Sequence, residues 1–475
     1  MNTLLYLLPE VWVSLLALYV LFLDLSWEKE RHPQIGLMAA MGMIPVLPIL
    51  FMQRRLGTVD LLHGMYRIDP VALIFKGIFI FAAIFVILMT REQARTMERG
   101  HGEFYLLILA ATLGMLFTAS AADFLMLFIS LELITVSFYV MTSYLKTDLR
   151  SLEAGTKYLI LGSISSACLL YGIAFIYGTT GSINFSEIRY FLKATPYSAG
   201  CLFGLFLILG GILFKTAAVP FQLWAPDVYE GAPTPVTALL SVGSKSAGFL
   251  VALRVFHELF MPASSDWVPL MIWLAGLTIL YGNLGAISQK NIKRLFGYSS
   301  IGHAGYLLMG LATPSSLGTT SVIFYLAGYL FTNMAAFLVI TTFSSHTNSD
   351  EIKDYAGLAR RSPFLAMVMF VSLLSLAGVP PMAGFIGKFM LLLSALSEGF
   401  LVLALIGAAA VVISLYYYLM IVRTMYADIP SDPSPIPVSW PAKIAMLACL
   451  AGIFLIGIWQ EPFLNASFAA VKKLF

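Results

Sequence analysis

Apolar residues run along this chain in long blocks, punctuated by short clusters of charge, glycine and proline. A helix needs about 20 apolar residues to cross a bilayer, and on that basis the pattern predicts fourteen spans: 3–23, 34–52, 69–89, 103–121, 123–145, 153–178, 200–229, 233–257, 267–287, 294–313, 318–343, 363–397, 400–426 and 440–460. The fold class is therefore an all-α polytopic membrane protein. The first block lacks a basic leader and is followed by Asp24, Glu28, Lys29, Glu30 and Arg31 in place of a small-residue cleavage signature, so it reads as a retained span.

Two predicted spans are too long and are interrupted. The seventh meets Pro220 just after Phe214-Lys215-Thr216-Ala217-Ala218-Val219, and the twelfth reaches Gly378-Val379-Pro380-Pro381 before resuming at Gly384. Proline removes a backbone donor and clashes with the preceding turn, so both helices are expected to break. Irregular backbone at membrane depth survives only beside protein or a water-filled cavity. The breaks stand five spans apart, and an odd number of spans sends a second copy in from the opposite side. The expectation is two inverted five-helix repeats, at 103–257 and 267–426, with spans one to three in 1–102 and the last span in 427–475.

Composition closes off several classes. The chain has 475 residues, 59% hydrophobic and 11% charged, with mean hydropathy +0.88 and net charge +3, which excludes a water-soluble fold. No basic run is dense enough for nucleic acid. Cys168, Cys201 and Cys449 sit in apolar stretches without C-x-x-C spacing, so neither an iron–sulfur nor a zinc site can be built from them. No nucleotide fingerprint or nucleophile elbow is present. No cofactor or metal is expected on the chain itself.

Fifteen Lys and Arg fall in the loops after spans 1, 3, 5, 9, 11 and 13, and seven on the opposite side. The positive-inside rule then places both termini on the outer side. Six cations remain inside spans: Lys76, Lys157, Lys215, Lys245, Arg254 and Lys388. Each must snorkel, pair, or face water within the bundle. Glu132 is the clearest acid deep in a span, either a titrating site or half of a fixed ion pair. Lys215, one turn before Pro220, is its natural partner, the alternative being a cap on carbonyls freed at the break. Lys245 lies near the middle of span eight; its Gly-Ser-Lys-Ser setting lacks the rest of a phosphate loop. Lys388 follows the second break and either passes protons outward or compensates the broken helix ends. Glu153 and Lys157 are spaced i,i+4 and can pair at the inner surface. His303, read as the one in-span histidine, suits proton relay or a hydrogen-bonded core role. Lys76 and Arg254 are expected to snorkel, Glu10 is a minor candidate, and Tyr416, Tyr417 and Tyr418 read as packing or interface anchors.

The stretch Phe214 to Pro235, with Gln289-Lys290-Asn291-Ile292-Lys293-Arg294-Leu295, strongly resembles the antiporter-like subunits of respiratory complex I. Gly384-Phe385-Ile386-Gly387-Lys388-Phe389 resembles the N subunit in particular. The resemblance spans about residues 100–430. It implies a hydrated polar axis along the midplane, with Glu132 and Lys215 as coupling pair, Lys245 as central relay and Lys388 as exit-side residue. It implies a non-redox translocase subunit of NADH:quinone oxidoreductase in the bacterial inner membrane, pumping protons beside an M subunit and small K and J subunits. NADH, FMN, iron–sulfur clusters and quinone would belong to other chains of that complex. Lys388 favours N over M, where glutamate is usual, and the lack of a long extension after span fourteen argues against the L subunit. Gln222 departs from the histidine many relatives carry, and an amide cannot hold a proton. The alternatives are a subunit of a multisubunit cation/proton antiporter and a purely structural membrane subunit.

Overall fold

The computed structural model describes residues 5–27, 32–55, 57–93, 101–194, 198–430 and 432–472. Glu28, Lys29, Glu30, Arg31, Arg95, Arg99 and Lys473, used in reading the first span and the charge bias, lie outside them, as does Thr3 at the start of the first predicted span.

The chain folds as a helical bundle: α1 (Leu8–Ser26), α2 (His32–Met43), α3 (Val46–Arg54), α4 (Pro70–Gln93), α5 (His101–Ser120), α6 (Phe124–Thr142), α7 (Leu149–Thr180), α8 (Phe185–Ala194), α9 (Ala199–Thr216), α10 (Trp224–Gly231), α11 (Thr234–Leu259), α12 (Ser264–Ile287), α13 (Ile292–Leu311), α14 (Ser316–Thr347), α15 (Pro363–Ala377), α16 (Ala383–Ser397), α17 (Leu401–Ala427), α18 (Trp440–Ile458) and α19 (Glu461–Val471). Starts are fixed by side-chain caps that satisfy otherwise orphaned amides. Asp123 accepts from Met126 N at α6, Ser198 from Cys201 N at α9, and Asn291 from Arg294 N at α13.

Among the described residues, twelve helices are long and apolar enough to cross a membrane. The other two predicted spans are present but differ. α13 is a 20-residue helix diluted by Lys293, Arg294, Ser299, Ser300 and His303, and predicted span twelve is the pair of 15-residue helices α15 and α16. Predicted span seven is likewise α9 and α10. α9 ends in a left-handed Ala217 and α15 in a left-handed Gly378, and Val219–Pro220 and Pro380–Pro381 are cis.

The centre of the bundle is set by which helices lose all contact with the exterior. The apolar window of α11 is wholly buried and that of α14 is 89% buried, against 33% for α1 and α17. α11 carries two π-helical stretches, Leu240–Ser244 and Leu253–Leu259, distortions that often accompany functional groups. Lys245 follows the first. Elements the hydropathy pattern did not predict are a small hairpin, β1 (Val59–Leu61) antiparallel to β2 (Tyr66–Ile68) with Asp60 opposite Arg67, the amphipathic α8 and the short α19.

Candidate functional site

Both helix breaks leave carbonyls that need donors, and the two are satisfied differently. At the first, the Trp224 indole donates to the Phe214 carbonyl at 3.0 Å and Val219 N donates to Thr278 Oγ1 at 3.1 Å. At the second, Lys388 Nζ itself donates to the Ala377 carbonyl at 3.1 Å, with Ser414 Oγ at 3.4 Å. Trp224 thus frees Lys215 from capping, whereas Lys388 does cap the broken end. The Lys388 ammonium also stands 5.0 Å from the Tyr306 ring centroid, a cation–π contact.

The three central lysines are 2–6% exposed, and among the described residues none makes an ion pair. Lys215 Nζ donates to Thr135 Oγ1. Thr135 is three residues beyond Glu132 on α6, hence on the same face. Glu132 accepts from Ser166 Oγ at 2.5 Å. Glu132 and Lys215 are not in contact: the carboxylate acts on Lys215 through space, and each group is hydrogen-bonded to a neutral hydroxyl. Lys245 Nζ donates to both the carbonyl and the hydroxyl of Ser300. Lys215 and Lys245 sit on helices that nearly touch, because Gly248 lets α11 approach α9; a Cβ there would meet Thr216 Cγ2 at 2.9 Å.

α13 links the second half of the row. Ser299, Ser300, His303 and Tyr306 lie on one side of it at helical spacing. Ser300 Oγ bonds Tyr229 OH at 2.9 Å, His303 Nδ1 bonds Tyr325 OH at 2.5 Å and Nε2 reaches Tyr418 OH at 3.3 Å, and Tyr418 OH bonds Ser299 Oγ. His303 lies within electrostatic reach of both Lys245 and Lys388. The reading of Tyr417 and Tyr418 as packing anchors is corrected: both are buried and hydrogen-bonded, Tyr417 OH to Asn283 Oδ1 at 3.2 Å, while Tyr416 is exposed. Ser300, Tyr229 and Tyr325 went unremarked in the sequence because a hydroxyl in an apolar run looks like ordinary helix filling; the polar spacing along α13 was the available signal.

Glu153 and Lys157 do pair, at 2.7 Å, but at the surface. Lys157 also binds Asp227 at 2.6 Å, and Arg294 binds Asp227 at 2.8 Å and Glu230 at 2.9 Å. This network, with Arg150, lines an open polar cleft distinct from the buried lysines. Gln222 is buried with Oε1 lacking a partner. His303 is not the one in-span histidine: His257 is buried in α11, with Nδ1 at 2.6 Å from Thr319 Oγ1 and Nε2 at 2.7 Å from the Leu311 carbonyl.

Two expected snorkellers are instead locked inside. Lys76 is fully buried and pairs with Glu10 at 2.6 Å. Arg254 grips Asp69 through two nitrogens at 2.9 and 3.1 Å, and also binds Glu258 at 3.0 Å and the Ala119 carbonyl at 3.0 Å. Snorkelling fails because these ends of the helices are roofed by the β1–β2 hairpin, from which Arg67 reaches Glu258 at 2.7 Å. Burial alone would raise the Asp69 carboxyl, but the Arg254 guanidinium outweighs it and holds the group below the ordinary carboxylate range. Among the described residues, no group of three His, Cys, Asp or Glu side chains is placed to hold a metal.

A multi-pass bundle with two interrupted helices beside a row of buried lysines is the architecture of an antiporter-type membrane protein. The family described as NADH:quinone oxidoreductase/Mrp antiporter, TM matches residues 121–414, and the chain belongs to it. It is 43% identical over 467 residues to NADH-quinone oxidoreductase subunit N of Moorella thermoacetica, covering 98% of each chain. It is 39% identical to NAD(P)H-quinone oxidoreductase subunit 2 of a Synechococcus strain, over 98% of this chain and 90% of the other. A chain of respiratory complex I from Thermus thermophilus superposes with TM-score 0.82 at 28% identity, over 97% of this chain and 100% of that one. A chain of the Mrp complex from a Dietzia strain shares the fold at TM-score 0.88 and 19% identity, over 98% of this chain and 97% of that one.

Proposed function

We propose that the chain is the N-type, proton-translocating membrane-arm subunit of an NADH:quinone oxidoreductase in a bacterial inner membrane, with both termini on the outer side. The division into N-terminal spans (1–102), two inverted repeats (103–257 and 267–426) and a last span (427–475) belongs to the same reading, and is supported by the matched interruptions after Thr216 and Ala377. The family match and the subunit N relatives at about 40% identity favour this over a multisubunit cation/proton antiporter. NADH oxidation and quinone reduction would take place on other chains, and this chain would act on protons alone, flanked by M, K and J subunits.

The observation that carries the reading is the row of three buried ammonium groups whose partners are all neutral oxygens. A cation at mid-bilayer costs roughly 2.5–3.5 kcal/mol on insertion scales, and a carboxylate at contact would offset that cost permanently. Here the acid that acts on Lys215, Glu132, is bonded to Ser166, one helical turn along α6 from the Thr135 that Lys215 contacts. Its charge stabilises the Lys215 ammonium while it is ionised. When a proton reaches Glu132, that support vanishes, and Lys215 can release its own proton toward Lys245 across the close α9–α11 approach. Lys245, Ser300, His303 and Tyr418 then extend the route along α13 toward Lys388, which hands a proton out and returns to capping the Ala377 carbonyl. The Glu153–Lys157 network at the surface supplies contact to a neighbouring subunit or proton entry.

The test is NADH-driven proton uptake in inverted membrane vesicles carrying Glu132→Gln or Lys215→Met. Both variants should assemble yet translocate fewer protons per electron. Wild-type ratios in both, with intact assembly, would leave the structural-subunit alternative standing.

A further inference from the structure

A second set of buried ionisable groups stands apart from the lysine row, where α1 begins and β2 leads into α4. Glu10 is 1% exposed and Lys76 fully buried. Tyr66 joins them: Lys76 Nζ donates to the Tyr66 hydroxyl at 2.8 Å, and that hydroxyl donates to Glu10 Oε1 at 2.9 Å. Together with the 2.6 Å ion pair, every contact falls on one oxygen of the carboxylate. Among the described residues, Glu10 Oε2 is buried and has no hydrogen-bond partner.

Gln53 repeats the pattern beside it. Its Nε2 donates to the Leu5 and Tyr6 carbonyls at 3.0 and 2.9 Å, while its Oε1 is buried without a donor. The Tyr66 hydroxyl also approaches the Tyr6 carbonyl, at 3.3 Å, so the two unfilled oxygens belong to one small neighbourhood. Two acceptors with no donor between them are costly when buried. A single added proton eases the conflict, because an O–H on Glu10 Oε2 supplies a donor to a neighbourhood that now holds unfilled acceptors.

We propose that Glu10 is a proton-holding site outside both repeats, using Lys76, Tyr66 and Gln53. In the empty form Glu10 is a carboxylate beside the Lys76 ammonium. In the loaded form one proton has been gained on Oε2 and Lys76 keeps its own; release restores the pair. Asp69 acts on Lys76 through space and keeps a negative charge near it in the loaded form. From Asp69 the contacts run through Arg254 and Glu258 to Arg67, and from Arg67 to Asp60 at 2.7 Å. Asp60 is half exposed, so the chain of carboxylates ends in water. Arginine stays charged, and Arg254 and Arg67 are positioning residues that hold those carboxylates in line. This inference rests on the chain being a proton-translocating subunit, and makes the outer end of spans one to three a place where a proton waits.

The experiment measures protons per electron across a range of pH in vesicles of the assembled complex carrying Glu10→Gln or Gln53→Met, with Lys245→Met alongside. The proposal expects both to lower the ratio and flatten its pH dependence, and a carboxyl infrared band seen during turnover to vanish in Glu10→Gln. If both pump as wild type while Lys245→Met does not, the proposal is overturned and the broader reading stands. If Lys245→Met also pumps as wild type, the broader reading fails and takes this proposal with it. Should Glu10→Gln fail to assemble, the double variant Glu10→Gln/Lys76→Met buries no unpaired charge and Tyr66→Phe removes only the bridging hydroxyl. Wild-type ratios in those and in Gln53→Met would equally overturn it.

Discussion

Arg254 and Lys245 lie nine residues apart on the same wholly buried helix, yet they are treated in opposite ways. Arg254 is surrounded by charge, with Asp69 and Glu258 in contact and Arg67 behind them. Among the described residues, Lys245 bonds only the two oxygens of Ser300. A guanidinium cannot give up its proton, and with two carboxylates it forms a fixed joint between α11, the start of α4 and the hairpin. An ammonium on neutral partners is held weakly enough for its proton to move. The difference teaches that burial alone does not mark a transfer site; what matters is whether the cation's counter-charge is at contact or at a distance.

That contrast can be broken most forcefully at the fixed joint. Arg254→Met leaves Asp69 and Glu258 buried without their partner and should cost about 3–5 kcal/mol, read as loss of assembled complex or faster thermal inactivation. A complex that assembles with wild-type thermal stability would erase the distinction between the two regions. Next in size is Gly248→Val, which forces α11 away from Thr216; overpacking of this kind costs about 1–3 kcal/mol, and by separating Lys245 from Lys215 it should slow proton uptake more than it slows NADH oxidation.

The positions of the spans were legible because about 20 apolar residues leave a helix few other fates, and the breaks because Pro220 and Pro380-Pro381 cannot continue one. Lys215, Lys245 and Lys388 stood out as charges where charge is expensive. Their partners were not legible. Whether Lys215 meets Glu132 or Thr135 depends on a helical turn of rotation between α6 and α9, and whether Arg254 snorkels depends on the hairpin above it, a six-residue pairing whose strands are too short to show a period. Ser300 was invisible for another reason, since serine hydroxyls in apolar helices bond their own backbone as readily as a neighbour.

Acid sharpens the comparison from the fixed side. Asp69 has its carboxyl held low by Arg254, so its contribution to stability is complete above the ordinary carboxylate range and is lost only as pH falls below it. Thermal stability attributable to Asp69, taken as the difference from Asp69→Asn, should stay constant from neutral pH down to about 5 and shrink progressively as pH falls through about 3.9, the free aspartate value, and below. The smallest effect is expected at the surface network. Lys157 is 41% exposed beside Glu153 and Asp227, and exposed pairs contribute about 0.2–1 kcal/mol, so Lys157→Ala should leave assembly and thermal stability nearly unchanged.

The most direct test is the number of protons moved per electron by the assembled complex carrying Lys245→Met. With Ser300 left facing an apolar side chain, the row is cut at its middle, and the account predicts full assembly with fewer protons moved per electron than in the wild type. A complex that assembles and pumps at the wild-type ratio would contradict it.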